Sequence, residues 1–294
     1  MAQGGATPPP EAVRKGFSKG LLVVAVVIAA ALAFAGGIGV GSVYFGAKPT
    51  PAQPIMVVGT NTPFRPMEYR DASGTLVGFD IDLVNEVGRI VGWNVVWRDF
   101  QDWDALLAAI EFQGVDIGAS SITSNLAGQG GIDREAAFDF SDDYYEADQG
   151  VLIKAGSTAV NCAAAECTVD ELANHTVAVQ TLTTSYWWII GNLVDPAKTP
   201  ESMVHDYGDV ATVIQELLNG AVDWVLVDKP VATALAGTNA NLFVEGTIET
   251  NELYAFAVAD GDPQNLLPKI NAALAQMAQS GGKYDEIFDK WFGA

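Results

Sequence analysis

Two stretches far apart in the chain are built to one pattern. "LLAAIEFQGVDIGAS" (106–120) and "VIQELLNGAVDWVLVD" (213–228) each run from an amphipathic helix through a glycine to an aspartate that opens an apolar strand. A helix with a single apolar stripe must bury it against a neighbour. A strand apolar on both faces must be covered on both. Glycine reverses the chain at a helix end. The same alternation surrounds both stretches. "IMVVGTN", "NVVWRDF" and "HTVAVQT" read as strands, while "DIDLVNEVGRIVGW" has Ile81, Val84, Val87 and Ile90 or Val91 on one helical face, with Asp80 or Asp82 as its cap. "DWDALLAAIEFQG" is expected to end at Gly114. "RDASGTLVGFD" reads as a hairpin around Ser73-Gly74, and "TTSYWWIIGNLV" opens a helix. This order predicts α/β lobes with parallel strands. One supersecondary unit serves two lobes, and Asp116 and Asp223 take structural roles in it.

The chain has 294 residues, 49% of them hydrophobic, enough for two lobes with real cores. Asp+Glu 36 against Lys+Arg 15 gives a net charge of −21. A phosphate backbone needs clustered cations, so no nucleic-acid partner is expected. The N-terminus has a separate character. Residues 1–20 are rich in proline and small residues and carry Arg14, Lys15 and Lys19. They read as a disordered cytoplasmic tail. No charged residue then occurs between Lys19 and Lys48. Such a run exceeds the ~20 residues that a helix needs to cross a bilayer, and the preceding positive charges orient its start toward the cytoplasm. Residues 21–47 are either a transmembrane anchor or a cleaved signal segment, with Ala33-Phe34-Ala35 as the cleavage site. The anchor is favoured because the apolar character continues to Phe45. Both readings place the rest outside the cytoplasm. Residues 48–54, "KPTPAQP", form a stiff linker.

Cys162 and Cys167 are the only cysteines. Outside the cytoplasm a local disulfide is their expected state. His175 and His205 are the only histidines and neither is near the pair in sequence, so no metal site is expected, and no cofactor either.

Seven segments in order, "GTNTPFRPMEY", "GFDIDL", "DWDALLAAI", "GVDIGASSIT", "DREAAFDFSDDYY", "GAVDWVLVD" and "KYDEIFDKWFG", resemble the extracytoplasmic, periplasmic-type solute-binding proteins of amino-acid ABC transporters, family 3. The resemblance spans roughly residues 55–293. It implies a two-lobed type II periplasmic-binding fold with two hinge strands. Lobe 1 would be 55–150 with 253–294, lobe 2 would be 151–252, and "GVLIK" and "ELYAFAV" would cross between them.

The resemblance also implies site roles. Arg134 stands seven residues before the serine of Phe140-Ser141, the relation that the family's carboxylate-clamping arginine has. A planar guanidinium suits a carboxylate. A plain surface ion pair with Asp133 or Glu135 is the alternative. "SNLAGQGGID" before it is longer than in the family by about half a dozen residues, so a protruding glycine-rich loop is expected there. Ser121 would meet the ligand's ammonium and Thr123 its carboxylate. Thr183 would offer an N–H at a helix start, with Leu182 where the family has glycine. Asp228 would hold the ammonium or cap the following helix. Phe64 and Trp103 would sandwich the side chain, with Asn61 near its end, while Trp187 and Trp188 would be core or lobe surface. A neutral Asn61 argues for a neutral polar amino acid such as glutamine, because an unpaired buried charge is costly. Arg65 turned inward would instead admit an acidic ligand.

The expected function is binding of an amino acid and delivery to an ABC permease by hinge closure. The alternatives are a membrane-anchored sensor and a dehydratase-type enzyme, in which Glu68 would be an acid–base candidate. No catalytic pair at a telling spacing supports the enzyme.

Overall fold

The structure is a computed structural model that describes residues 52–125 and 134–293. Residues 1–51, with the tail, the apolar run and most of the linker, lie outside the described residues, as does the glycine-rich loop 126–133. Among the described residues no helix is long and apolar enough to cross a membrane.

In chain order the elements are β1 (Ile55–Asn61), β2 (Tyr69–Arg70), β3 (Leu76–Val77), α1 (Phe79–Val91), β4 (Asn94–Phe100), α2 (Trp103–Glu111), β5 (Ile117–Thr123), β6 (Phe138–Phe140), β7 (Tyr145–Lys154), α3 (Val169–Leu172), β8 (Val177–Gln180), α4 (Thr184–Ile189), β9 (Val204–Tyr207), α5 (Val210–Asn219), β10 (Trp224–Asp228), α6 (Lys229–Thr238), β11 (Leu242–Ala259), α7 (Leu267–Met277) and α8 (Lys283–Phe292). The hydrogen-bonded path runs β4-β1-β5-β11-β7-β10-β8-β9, with β6 also on β11. The strands β4, β1 and β5 are parallel, as are β10, β8 and β9. The two parallel groups are joined through the long antiparallel strands β7 and β11. This is the two-lobed α/β periplasmic-binding fold. β2 and β3 form the expected hairpin.

Side-chain alternation gives each group a core on both faces. In β10, Trp224 and Leu226 enter one core while Val225 and Val227 enter another. In β5, Ile117 and Ala119 pack under α1 and α7, while Ile122 packs under α2. The two aspartates singled out in the sequence do the same job twice. Val57 N–H donates to Asp116 Oδ2 at 2.7 Å, and Thr176 N–H donates to Asp223 Oδ2 at 2.8 Å. Each aspartate N–H donates back to the carbonyl of the residue it serves. Each thereby stitches the entry of its strand to the parallel neighbour.

Two boundaries differ from expectation. The N-cap of α1 is Gly78, not Asp80 or Asp82. A Cβ there would come 1.9 Å from the Met67 carbonyl oxygen, at a φ of 148°. Asp80 is instead wholly buried and turns inward. α2 stops at Glu111, and the left-handed residue after it is Gln113 (φ 56°), not Gly114. Its amide bonds back to the Ile110 carbonyl and that of Gly114 to Ala109, so the left-handed turn comes one residue before the glycine. By contrast α5 ends at a left-handed Gly220. Cys162 and Cys167 are disulfide-bonded, with Cα atoms 5.0 Å apart. The bridge lies on Gly246 of β11, where any Cβ would come 2.5 Å from Cys167 Sγ.

Candidate functional site

The carboxyl ends of β1, β5, β8 and β10 converge on one cavity, the usual ligand position of parallel α/β sheets. It holds about 520 Å³ of non-atom space, part of it open to solvent, and is lined by all eight residues singled out as ligand contacts: Asn61, Phe64, Trp103, Ser121, Thr123, Arg134, Thr183 and Asp228. Most are set at an element end. Asn61 and Thr123 close β1 and β5. Trp103 opens α2, Thr183 caps α4, and Asp228 closes β10. Arg134 lies on a short 3-10 turn.

The lobes touch across this cavity. Trp103 Nε1–H donates to the Leu182 carbonyl at 3.2 Å and Trp103 N–H donates to the Gly208 carbonyl at 3.2 Å. Gln180 Nε2 donates to Asn61 Oδ1 at 3.0 Å. Leu182, where the resemblance implies a glycine, holds a φ of 56°. Its side chain packs with the Trp103 core of the other lobe.

Arg134 is 2% exposed, so it is not a surface ion pair. Its Nη1 donates to the Thr123 carbonyl at 3.1 Å and Nη2 to the Leu182 carbonyl at 3.5 Å. The guanidinium carbon lies 5.6 Å from the centre of the Trp103 ring. Burial lowers its pKa to about 10, against the pull of Glu252 and Asp228, so it stays charged at neutral pH. Its Nε is buried without a partner among the described residues.

Asp228 is buried and faces the cavity. It occupies the N-cap position of α6, yet its side chain makes no cap hydrogen bond. Its oxygens accept from Gln149 Nε2 at 2.6 Å and from the Tyr254 hydroxyl. Burial first, then the nearby Glu252, raises its pKa to about 7.

The hydroxyls divide unequally. Ser121 Oγ is buried without a partner, while the Ser121 N–H donates to Asp80 Oδ2 at 2.7 Å. Thr123 Oγ1 donates to Glu252 Oε2 at 2.7 Å, so its proton is already committed. Thr183 Oγ1 donates to the Gln180 carbonyl at 2.7 Å and accepts from Tyr186 N–H. Asn61 Nδ2 donates to the Phe100 carbonyl at 2.9 Å. Its amide therefore has a partner at each end and does not depend on a ligand for one. Arg65 stacks 3.6 Å above the Tyr69 ring and does not line the cavity. Neither do Trp187 and Trp188, the latter being core.

Sequence reasoning missed part of the lining. Glu68, weighed only as an acid–base group, is wholly buried beside the cavity. Its Oε1 accepts from Ser120 Oγ at 2.7 Å and its Oε2 has no partner. Burial, then Asp80, pushes its pKa well above the carboxylate range. Gln180, Thr184 and Ser185 also line the wall. The site thus offers a buried guanidinium, two buried carboxyls and aromatic walls. No group of three or more metal-ligating side chains occurs among the described residues.

The sequence profile of the bacterial extracellular solute-binding proteins, family 3, matches residues 56–294. The probable histidine-binding protein of Neisseria gonorrhoeae is 31% identical over 242 residues, 80% of this chain and 82% of that protein. The ABC transporter glutamine-binding protein GlnH of Bacillus subtilis (strain 168) is 29% identical over 239 residues, 80% of each chain. An ancestral arginine-binding protein, solved with arginine and with glutamine, superposes with a TM-score of 0.71 in both forms. It is 31% identical, and the match covers 82% of this chain and 99% of that one. The chain belongs to the bacterial extracellular solute-binding proteins, family 3.

Proposed function

We propose that this protein binds an α-amino acid between its lobes, without turnover, and presents it to an ABC importer in the closed form. One observation carries the reading. Arg134 and Asp228, opposite in charge and both buried, face one cavity in which Arg134 Nε and Ser121 Oγ have no partner among the described residues. Buried polar atoms are otherwise nearly always satisfied. A zwitterion supplies what is missing: its carboxylate for Arg134, with Thr123 and Thr183 beside it, and its ammonium for Asp228 and Ser121. Phe64 and Trp103 flank the side chain. In this reading lobe 1 is 55–150 with the segment from 253, and lobe 2 is 151–252.

At the far end the proposed ligand group is neutral and polar, of the glutamine type. Glu68, whose pKa burial raises, can offer an O–H donor as well as an acceptor to an amide. An acidic side chain finds no second cation, since Arg65 points away. Glu68 also favours a second reading, a cationic side chain such as arginine that ionises it. Relatives named for glutamine and for arginine fit either. A thermal-shift screen of the twenty amino acids on the purified protein separates these readings. Stabilisation by glutamine is expected. Stabilisation by arginine or lysine without glutamine selects the second reading. Stabilisation by glutamate alone contradicts both.

A further inference from the structure

Between the lobes, the backbone ladder of the two crossing strands lapses. β7 and β11 pair at Gln149↔Ile248 and next at Ala147↔Glu252, so β11 advances four residues while β7 advances two. The excess bulges, with Asn251 at a φ of 52°. Asp148 Oδ1 accepts the Thr250 and Asn251 N–H groups at 3.2 and 3.4 Å. A bulge loosens the ladder and bends the strand that carries it. Rotation of one lobe against the other is easiest here.

Side chains bridge the gap. Gln149 and Glu252, one on each strand, are 0% and 1% exposed. Gln149 Nε2 donates to Glu252 Oε1 at 2.7 Å and to Asp228 Oδ1 at 2.6 Å. Its Oε1 accepts from Ser185 Oγ at 2.6 Å. The other oxygen of Glu252 accepts from Thr123 Oγ1, and the Thr123 carbonyl accepts from Arg134. An unbroken chain, Arg134–Thr123–Glu252–Gln149–Asp228, therefore passes beneath the cavity. Arg134, Thr123 and Asp228 line the cavity, while Glu252 and Gln149 do not.

We propose that Gln149 and Glu252 are positioning residues that form a hinge latch, setting the spacing of Arg134 from Asp228 and holding the lobes closed. The proposal rests on the reading of Arg134 and Asp228 as the ligand's charge partners. Thr123 rides with one lobe, and Asp228 and Ser185 ride with the other. One amide with two N–H groups cannot follow both. Opening breaks a buried network whose members then need water, and a buried polar group without a partner is costly.

Hydrogen exchange on the ligand-free full chain tests the latch without any ligand. The Trp103 N–H, bonded to Gly208 across the lobes, reports opening. Gln149→Met keeps the bulk and removes the amide; Glu252→Gln keeps the shape and removes the charge. In both, exchange at Trp103 is expected to quicken about tenfold, the effect of one lost hydrogen bond, with protection of β5 and β8 unchanged. With L-glutamine and L-arginine as probes, dissociation is expected to quicken at unchanged association. Unchanged Trp103 exchange in variants that keep β5 and β8 protection overturns the latch. Loss of protection throughout overturns it too, since the pair would then be ordinary core. If wild type binds neither probe, the ligand reading fails, while Trp103 exchange still decides the latch.

Discussion

Asp228 sits close to its own titration point, because burial and Glu252 raise its pKa to about 7 while Tyr254, Gln149 and Arg134 pull it down. An ammonium binds only the ionised carboxylate. Below pH 7 a proton therefore competes with the ligand, and affinity is expected to fall toward about tenfold per pH unit. Calorimetry at pH 5.5, 6.5 and 7.5 measures this, and Asp228→Asn is expected to flatten the dependence. A wild-type affinity flat over that range would remove Asp228 from the ammonium site. At this scale the sequence singled out the two charged residues that face the cavity and hid what lies between them. Arg134 and Asp228 stand beside segments of recognisable pattern. Glu68, Gln149 and Glu252 are types that are usually exposed. Their burial is fixed by partners far along the chain: Gln149 and Glu252 are 103 residues apart, and Thr123 and Glu252 are 129. No local window contains that information. The partner of Asn61 is hidden for the same reason, since Gln180 comes from the other lobe.

Among the elements, the strands and helices flanking the cavity were legible because their apolar periodicity is strong: β1, β4, β5, β8 and β10 all lie where "IMVVGTN", "NVVWRDF", "VDIGASSIT", "HTVAVQT" and "AVDWVLVD" placed them. Ends were less legible. Gly78 caps α1 through a close backbone approach to Met67, which the acidic first turn concealed. The crossing strand β7 carries a tight contact of its own. A Cβ on Gly150 would lie 2.7 Å from Ala232 Cβ and 3.2 Å from Lys229 Cα. Gly150→Ala must push α6 off the sheet, directly after Asp228. Overpacking of this kind costs about 1–3 kcal/mol. A urea midpoint lowered accordingly is expected, together with weaker ligand binding. Unchanged stability would show that α6 is free to shift.

For the molecule as a whole, the buried acids set a pH dependence of stability. Asp80 and Asp228 both have folded pKa values near 7, against about 3.9 in an unfolded chain. The folded state therefore holds more protons between about pH 4 and 7. Stability falls as pH rises through that window, and the contribution is complete only below it. The ligand-free protein is expected to melt at a higher temperature at pH 5.5 than at pH 8, and Asp80→Asn is expected to shrink the difference. A bound ligand reverses part of it, since the ammonium favours ionised Asp228.

The central claim is that one cavity holds an amino acid between Arg134 and Asp228. Its most direct test is isothermal titration of the wild type and Arg134→Ala with the amino acid that stabilises the protein best, followed by mass spectrometry of the recovered ligand. Removing one partner of a buried charge pair costs about 2–5 kcal/mol, or roughly 30-fold to several thousand-fold in affinity. The expected result is one site per chain, chemically unchanged ligand, and that loss in a folded Arg134→Ala. Equal affinity in the folded variant, or a recovered product in place of the ligand, would contradict it.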